Sequence, residues 1–595
     1  MNAVWYSMDK PVMFSELCAN LGITEDDLYN DGDEDEDDLI ETADSLRDPS
    51  DNEEEVGVIA DDEGDVEVFV ERGSDSSDDD EESVNSEEEN DQDDNNQFLS
   101  PSGISYTSRP IPSRRRRRNV LTETPRAILN PRSEVESFEA LISEEILRTI
   151  LMHTNRKLRE IRRSLHVRYP TINFLMEELK AGLALILRAG RDRDNFSDLQ
   201  GLWQPSDSRP FYRTVMSLNR FKLLLRCLRF DNWHTRDERK RIDKFAAVSE
   251  IWNIFLGNAR RVYIPGECIT VDEQLVGYRG KIPGRTYMPS KPRKYGIKIF
   301  WACESNTGYG LNAIAYGGKE GNRVHHNLAQ DVVMKLLEPW YGTGRDVCTD
   351  NYFTSYSLTQ QLLQENLTIL GTVRRHRREI PLTLRQKTEL YSSQFVFNHS
   401  DGICLVAYQA KRNKQPVMLL SSTHTEPSVA SDESKKPHLI LDYNERKGGV
   451  DRFDQSIEAF SCRRKTVRWP LLFFYNMLDA AALNAYVILK KCGYQSDRKE
   501  FLTNLTLQLA TPAIQARLTK TRTRRSVHEA AAAMGILSPA ARGNNSQVFT
   551  APNLPKKCTV CKKNSRRQCS SCKKSVCPQH SVVLKICKCH HCADD

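Results

Sequence analysis

The distribution of charge along the chain constrains its fold more than any other feature. Residues 1–100 carry 37 acidic and only three basic side chains, whereas the rest of the chain carries 45 acidic and 81 basic ones. The acidic stretch is poor in aromatic residues and cannot bury enough apolar surface to offset its conformational entropy, so we expect it to be disordered. The remaining, strongly basic part must supply the folded domains, and its charge predicts a polyanionic partner.

No segment of the sequence predicts a secretory signal or a membrane span. The most apolar stretch, 470–489, is interrupted by Asn476, Asp479 and Asn484 and is therefore predicted to be a buried helix. Five consecutive arginines at 114–118 predict nuclear import or contact with a DNA backbone, with a solvated linker as the alternative. Eight of the 16 cysteines are scattered singly, which favours a reducing compartment over a disulfide scaffold. We therefore expect a nuclear protein that does not associate with membranes.

Apolar periodicity divides the basic part of the chain into helical and mixed regions. From about 135 to 260 the apolar residues recur at helical spacing, which predicts an all-α region with a basic exterior. From 268 the period changes to two, and candidate strands and helices follow in the order β-β-β-α-β-α-β. This order predicts a mixed sheet with helices packed on it. Residues 379–437 interrupt it as a β-rich insertion, and helical spacing then resumes.

Acidic residues stand at the ends of these elements in a pattern typical of a metal site. Asp272 and Asp350 each end a candidate strand, and Asp451 begins a helix with Asp454 one turn further along the same face. Two divalent cations need three or four carboxylates that converge on one sheet edge. A single acid after a strand is more often a turn or cap residue. The combined order predicts an RNase H-like core that processes nucleic acid.

Basic and aromatic residues flank the acids on both sides in sequence. The candidate DNA contacts are Arg285, Tyr287, Lys291, Arg293 and Lys294 before the second strand, Asn351 beside Asp350, and Arg374 and Arg377 after the last core strand. Cations interleaved with aromatic rings suit a DNA backbone with stacked or splayed bases. A solvated loop is the alternative for both clusters.

The C-terminal segment has the cysteine spacing of a zinc module. The predicted ligands are Cys558, Cys561, Cys569, Cys572, Cys577, His580, Cys589 and Cys592. Eight ligands suit two tetrahedral zinc ions, and so short a segment with almost no apolar core needs metal to fold. In a cross-brace the first and third pairs would share one ion, and the second and fourth pairs the other. Cys587, His590 and His591 are alternative ligands at the second site. A RING-type ubiquitin ligase is the rival class, although the short first loop and the neighbouring lysines favour a polyanion.

Four stretches of the sequence resemble piggyBac-family DNA transposases. They are TVDEQLVGYRGKIPGRTYMPSKPRKYGIKIF, CTDNYFTSYSLTQQLLQE, YNERKGGVDRFDQ and CRRKTVRWPLLFFYNMLDAAALNAYV, and the match runs in order from about residue 120 to 592. The resemblance implies a multidomain α+β protein with an RNase H-like α/β catalytic core and a β-rich insertion. It also implies a split all-α dimerisation and DNA-binding domain and a C-terminal cross-brace zinc domain. Asp272, Asp350 and Asp451 are then the catalytic, Mg²⁺-binding residues, and Asp454 is a further functional acid.

The resemblance also sets the expected domain boundaries. The expected domains are a disordered acidic tail at 1–118, a helical domain at 119–267 and 461–540, a catalytic core at 268–378 and 438–460, an insertion at 379–437, a linker at 541–556 and a zinc domain at 557–595.

The activity that the resemblance implies is cut-and-paste transposition of DNA. A homodimer would excise a transposon at its terminal inverted repeats through hairpin ends and join it to TTAA sites. Two Mg²⁺ ions per active site (with Mn²⁺ as a substitute) and two structural Zn²⁺ ions would be the cofactors, and the zinc domain would read the transposon ends. Two alternatives remain open, namely a catalytically silent DNA-binding protein derived from a transposase and a zinc-module ubiquitin ligase.

Overall fold

The computed structural model describes residues 97–112, 121–164, 173–204, 209–282, 284–289, 291–318, 327–520 and 523–536, with short pieces at 67–68, 556–557, 560–561, 564–565 and 578–580. The chain divides into two compact units, Met1–Val527 and His528–Asp595. The arginine run at 114–118 and most of the acidic tail lie outside the described residues.

A mixed sheet of 12 strands forms the centre of the first unit. The strands of this unit are β1 (Glu67–Val68), β2 (Gln97–Leu99), β3 (Ser105–Thr107), β4 (Arg126–Ala127), β5 (Tyr263–Ile264), β6 (Cys268–Gly277), β7 (Thr286–Tyr287), β8 (Tyr295–Glu304), β9 (Gly310–Ala315), β10 (Asp346–Thr349), β11 (Thr368–Thr372), β12 (Ser393–Asn398), β13 (Ile403–Tyr408) and β14 (Val417–Ser421). Strands β4 and β5 pair with each other, and all the others join the large sheet. In the second unit Lys556–Lys557 pairs antiparallel with Asn564–Ser565.

Helices precede, interrupt and follow the strands. They are α1 (Glu134–Glu139), α2 (Glu144–Ser164), α3 (Met176–Asp192), α4 (Leu199–Trp203), α5 (Pro210–Val215), α6 (Leu218–Cys227), α7 (Arg236–Lys240), α8 (Ser249–Val262), α9 (Leu328–Leu337), α10 (Tyr356–Gln364), α11 (His438–Arg446), α12 (Gly449–Ala459), α13 (Trp469–Lys491), α14 (Arg498–Leu518) and α15 (Arg525–Ala533). Helices α1 and α3, which precede the sheet in sequence, pack against α13 and α14, which follow it.

The strands in the middle of the sheet occur in the chain order that the sequence predicts, and their pairing is as follows. Strand β6 pairs antiparallel with β8 and in parallel with β10, and β10 pairs in parallel with β11. Strand β9 adds to the other side of β8. Almost every residue of β8 is buried, since the sheet is covered there by helices. The prediction of a mixed α/β multidomain fold with a large mixed sheet is therefore confirmed.

Helix α13 is the buried helix that the sequence predicts in its most apolar stretch. Among the described residues it alone is long and apolar enough to cross a membrane, but 94% of its apolar window is buried inside the protein. The amide of Asn484 explains how a polar residue fits there, because it accepts a hydrogen bond from Gly310 N–H at 2.9 Å and donates one to Gly310 O at 2.8 Å. Helix α13 is thus joined to β9 by a fully satisfied polar contact.

The N-terminal boundary of the folded chain differs from the expectation. The predicted disordered tail at 1–118 is wrong for residues 97–112, because β2 and β3 form a hairpin and β3 pairs with β12 of the insertion. Tyr106 and Ile111 are buried there, with 1% and 3% of their surfaces exposed. A short strand pair between polar segments gives no periodic signal, and its stability comes from strands about 290 residues away in sequence.

The insertion at 379–437 is β-rich, as expected, and its strands extend the core sheet. Strand β14 pairs antiparallel with β11, and β13 and β12 follow in order. One sheet therefore runs from β6, β10 and β11 into the insertion, and helix α11 packs against both β11 and β14.

A buried arginine fixes the start of β10 beside β6. The guanidinium of Arg345 is fully buried and donates hydrogen bonds to Pro265 O at 3.0 Å and Gly266 O at 3.1 Å. Its third contact is an ion pair of 2.8 Å with the half-exposed carboxylate of Glu123. Because Pro265 and Gly266 lie just before β6, this side chain ties the start of β10 to the start of β6. Asp272 lies within β6, and Asp350 directly follows β10.

We expect Arg345→Met to lower the free energy of unfolding by about 3 kcal/mol, because two buried carbonyl groups lose their donors. The control is Glu123→Gln, which removes only the partly exposed ion pair and should cost less than about 1 kcal/mol. Urea unfolding followed by tryptophan fluorescence measures both changes. Equal effects of the two substitutions would contradict this role for the buried hydrogen bonds.

Candidate active site

The parallel pairing of β6 and β10 brings the first two predicted acids together. Val271 and Thr349 are Cα partners in this ladder, so Asp272 and Asp350 are the next residues on neighbouring strands. Neighbouring strands lie about 4.8 Å apart, and residues opposite each other point to the same face. Asp350 Oδ1 accepts backbone hydrogen bonds from Tyr352 at 3.0 Å and Phe353 at 3.4 Å. The turn after β10 thus holds this carboxylate at the end of the strand.

Helix α12 supplies the third and fourth acids. A Cβ at Gly449 would collide with Thr270 Oγ1, so glycine allows the start of α12 to lie directly on β6. The Thr270 hydroxyl also donates to Arg446 O at 2.7 Å, just before the helix. Asp451 is exposed in the first turn, and Asp454 is partly buried one turn later. Gly449 therefore allows the helix that carries Asp451 and Asp454 to lie against β6.

The amide of Gln274 connects Asp454 to the strand that carries Asp272. Gln274 Nε2 donates to Asp454 Oδ1 at 2.7 Å, and Gln274 Oε1 accepts from the indole N–H of Trp301 at 3.0 Å. An indole nitrogen can only donate, so Oε1 must face Trp301 and Nε2 must face Asp454. Asn476 Nδ2 donates to the same Oε1 at 3.0 Å. Asp454 Oδ1 is thereby held as a hydrogen-bond acceptor.

Burial and neighbouring charges raise the pKa values of Asp272 and Asp454. Burial raises the pKa of Asp272 well above its usual range, and the charges of Glu273 and Asp350 raise it further. Burial also raises the pKa of Asp454, while the hydrogen bond from Gln274 opposes this change. Perturbed carboxylates grouped in a cleft are typical of functional sites.

Lys291 lies with these acids. Its Nζ is 3.9 Å from Glu273 Oε1 and lies 3.5 Å from the Glu273 backbone oxygen. Burial alone would lower the pKa of this lysine, but nearby carboxylates outweigh burial and raise it. Those carboxylates are Glu273, Asp272, Asp451 and Asp454, in decreasing order of effect.

The acids fit a divalent cation by their chemistry. They offer carboxylate oxygens, the ligands that Mg²⁺ prefers, from within β6, from the end of β10 and from helix α12. Within the part of the chain that the structure describes, no three His, Cys, Asp or Glu side chains are grouped closely enough to hold a metal ion.

The other predicted DNA contacts surround this site with different degrees of exposure. Lys294, Arg293, Asn351 and Arg374 are exposed, whereas Arg285, Tyr287 and Arg377 are partly buried. Tyr287 packs against Tyr295 with ring centroids 4.7 Å apart, and the Arg285 guanidinium lies 5.8 Å from the Tyr295 ring. The guanidinium of Arg374 lies 6.0 Å from the ring of Tyr352, which is two residues after Asp350 in the chain. The structure therefore places both basic clusters beside the acids, and their contact with DNA stays a prediction.

A cleft of about 300 Å³ opens next to the acids. Its walls include Asp454, Gln274, Lys291, Arg293 and Arg463. Sequence reasoning missed Gln274 and Glu273 as site residues. The signal for Gln274 was its position two residues after Asp272, which places both on one face of β6.

The zinc ligands are described only in part. Cys561 is partly buried and His580 is exposed, whereas Cys558, Cys569, Cys572, Cys577, Cys589 and Cys592 lie outside the described residues. The alternatives Cys587, His590 and His591 also lie outside them. The zinc module therefore stays a prediction.

Comparison with known proteins adds relatives of known class. Residues 133–486, more than half of the chain, match the family model described as Transposase IS4. Two human proteins are similar in sequence. The piggyBac transposable element-derived protein 3 is 24% identical over 373 residues, covering 58% of this chain and 60% of the relative. The piggyBac transposable element-derived protein 2 is 23% identical over 385 residues, covering 60% of this chain and 62% of the relative. The match thus spans about three fifths of the length of these relatives.

A solved structure is similar over most of this chain. It is a cryo-EM structure of the piggyBac transposase synaptic complex with hairpin DNA, with a TM-score of 0.67 and 32% sequence identity. The match covers 77% of this chain and 98% of the other. The matching family model, the relatives and the shared fold lead to one conclusion: the chain belongs to the Transposase IS4 family and is of the piggyBac type.

Proposed function

We propose that this protein is a cut-and-paste DNA transposase that cleaves and joins phosphodiester bonds at one carboxylate site. The observation that carries the proposal is the ladder between β6 and β10, which places Asp350 beside Asp272, together with Asp454 joined to β6 through Gln274. Family membership and the similarity to a transposase complex with hairpin DNA support a DNA substrate. In this proposal excision proceeds through hairpin ends and integration takes place at TTAA sites.

In this proposal the residues of the site have different roles. Asp272, Asp350 and Asp451 would hold two Mg²⁺ ions, which supply a Lewis acid and an activated water or 3′-hydroxyl for in-line attack. The backbone N–H groups of Tyr352 and Phe353 orient Asp350. Gln274 orients Asp454 and keeps its oxygen as an acceptor. The exposed cations Arg293, Lys294 and Arg374 would bind the DNA backbone and position the scissile bond.

The remaining parts of the proposal concern assembly and recognition. We propose a homodimer that works in the nucleus, with the arginine run at 114–118 as its import signal or DNA contact, and a C-terminal domain that binds two zinc ions and reads transposon ends.

A DNA-binding protein without strand cleavage is the second candidate. The observation that favours it is the similarity to two human proteins named as derived from a piggyBac transposable element. An excision assay on a plasmid flanked by cognate ends distinguishes the two, because only a transposase releases the element.

Asp350→Asn tests the catalytic role of the acids. We expect strand cleavage to fall at least about a hundredfold while binding to transposon ends changes less than about twofold, because affinity depends on the basic residues and cleavage on the acids. The control is Asp331→Asn at an exposed acid of α9, which should leave both unchanged. Cleavage of labelled ends and their binding in gel-shift titrations measure the two quantities. Retained cleavage would contradict the proposal.

Gln274→Leu tests the hydrogen bond to Asp454. Without this donor the pKa of Asp454 rises further, so its neutral form persists to higher pH. We expect the acidic limb of the cleavage pH profile to move to higher pH by about one unit, since a hydrogen bond to a carboxylate contributes about 1.5 kcal/mol.

The matched control for this pH experiment is Gln409→Leu. Gln409 is a fully buried glutamine whose amide donates only to the backbone oxygens of Lys411 and Lys414. Both substitutions remove a buried amide, so both should destabilise the protein, but only the one at Gln274 should move the pH profile. A shift of the same size in both variants would assign it to lost stability.

Cys558→Ser tests the zinc module. Metal binding supplies the folding free energy of such a domain, so its loss should lower affinity for transposon ends by at least about tenfold and leave the thermal midpoint of the core unchanged. Cys492→Ser, at an exposed single cysteine, should change neither quantity. Zinc content, measured by atomic absorption, should fall only in the first variant. Unchanged end binding after zinc loss would contradict the recognition role.

A further inference from the structure

Two lysines contact one glutamate next to the catalytic acids. Lys291 Nζ lies 3.9 Å from Glu273 Oε1, and Lys298 Nζ lies 3.9 Å from Glu273 Oε2. The side chains of Glu273 and Lys298 are buried, with 4% and 1% exposed, and that of Lys291 is 27% exposed. Glu273 therefore holds an ammonium group on each side of its carboxylate.

The arrangement matters because of the charge around it. The charges of five carboxylates act in this region, those of Asp272, Glu273, Asp350, Asp451 and Asp454, against the two ammonium groups. Lys298 projects from β8 and lies 4.9 Å and 5.0 Å from the ring centroids of Phe300 and Tyr352. Only Lys291 comes from a loop, so only Lys291 can leave without disturbing the sheet.

The position of Lys291 sets it apart from the other cations of its loop. Arg293 is exposed and forms an ion pair of 2.8 Å with Glu458, and Lys294 is exposed as well. Lys291 instead lines the cleft with Asp454, and its ammonium group interacts electrostatically with four of the five carboxylates. A surface contact for DNA would point its charge outward, whereas this charge points at the acids.

We propose that Lys291 is a charge-balancing residue of the carboxylate cluster, whose ammonium compensates the acids before a divalent cation binds and competes with that cation for them. The proposal rests on the proposed function, because it concerns the same carboxylate site. The lysine keeps the acids ionised and close together, and an arriving cation must displace its charge. Lys291 is thus a positioning residue for the acids, in addition to any contact with DNA.

The test is Mn²⁺ binding to the full-length, zinc-loaded protein, followed by electron paramagnetic resonance in the absence of DNA. Asp350→Asn identifies which Mn²⁺ ions belong to the carboxylate site. Lys291→Met should tighten binding at that site by about tenfold, since a unit charge and a divalent ion about 6 Å apart repel each other appreciably even in a water-like dielectric. Lys291→Arg retains the charge and should bind Mn²⁺ nearly as the parent protein does.

Lys294→Met is the matched control, because it removes an exposed lysine three residues away. It should leave the Mn²⁺ dissociation constant unchanged and weaken only DNA binding. An unchanged or weaker affinity for Mn²⁺ in Lys291→Met would overturn this proposal but not the proposed function. A loss of Mn²⁺ binding in Lys291→Arg would do the same. The absence of any Asp350-dependent Mn²⁺ in the parent protein would overturn the proposed function and this proposal together.

Discussion

The parallel pairing of β10 with β6 is the contact on which the rest of the candidate site depends. It alone makes Asp350 a neighbour of Asp272, two residues that are far apart in the chain. Parallel strands cannot be joined by a tight turn, so the chain must leave the sheet and return through α9 between β9 and β10. The buried guanidinium of Arg345 then ties the start of β10 to the residues before β6. Arg345, at the opposite end of the same strands, therefore helps to fix the positions of Asp272 and Asp350 relative to each other.

Collecting five carboxylates in one place creates an electrostatic cost that the surrounding residues offset. Repulsion and burial both favour the neutral acids, as the raised pKa of Asp272 indicates. The backbone donors after Asp350, the amide of Gln274 and the ammonium of Lys291 favour the ionised forms. These contacts therefore oppose the effects of burial and repulsion on the acids.

The helices and the insertion help to position the residues of this cluster. Helix α12 reaches β6 because Gly449 leaves room for Thr270, and α13 supplies the Asn476 amide that completes the hydrogen bonds of Gln274. Strands β12 to β14 continue the sheet beyond β11, so the insertion shares one hydrogen-bonded framework with β6 and β10.

The sequence by itself determined the elements whose signals are local. Period-two apolar runs predicted β6, β8, β10 and β11, and the acids in two of these runs identified the candidate site, although Asp272 lies within β6 and not at its end. These inferences succeed because alternation along a strand depends only on neighbouring residues. Only the tertiary structure decided that β2 and β3 join the insertion, that Gln274 bonds to Asp454, and that Lys291 faces the acids. Each of these depends on a partner distant in sequence, and a lysine in a basic loop has the same local pattern whether its charge points to solvent or to a carboxylate 18 residues away.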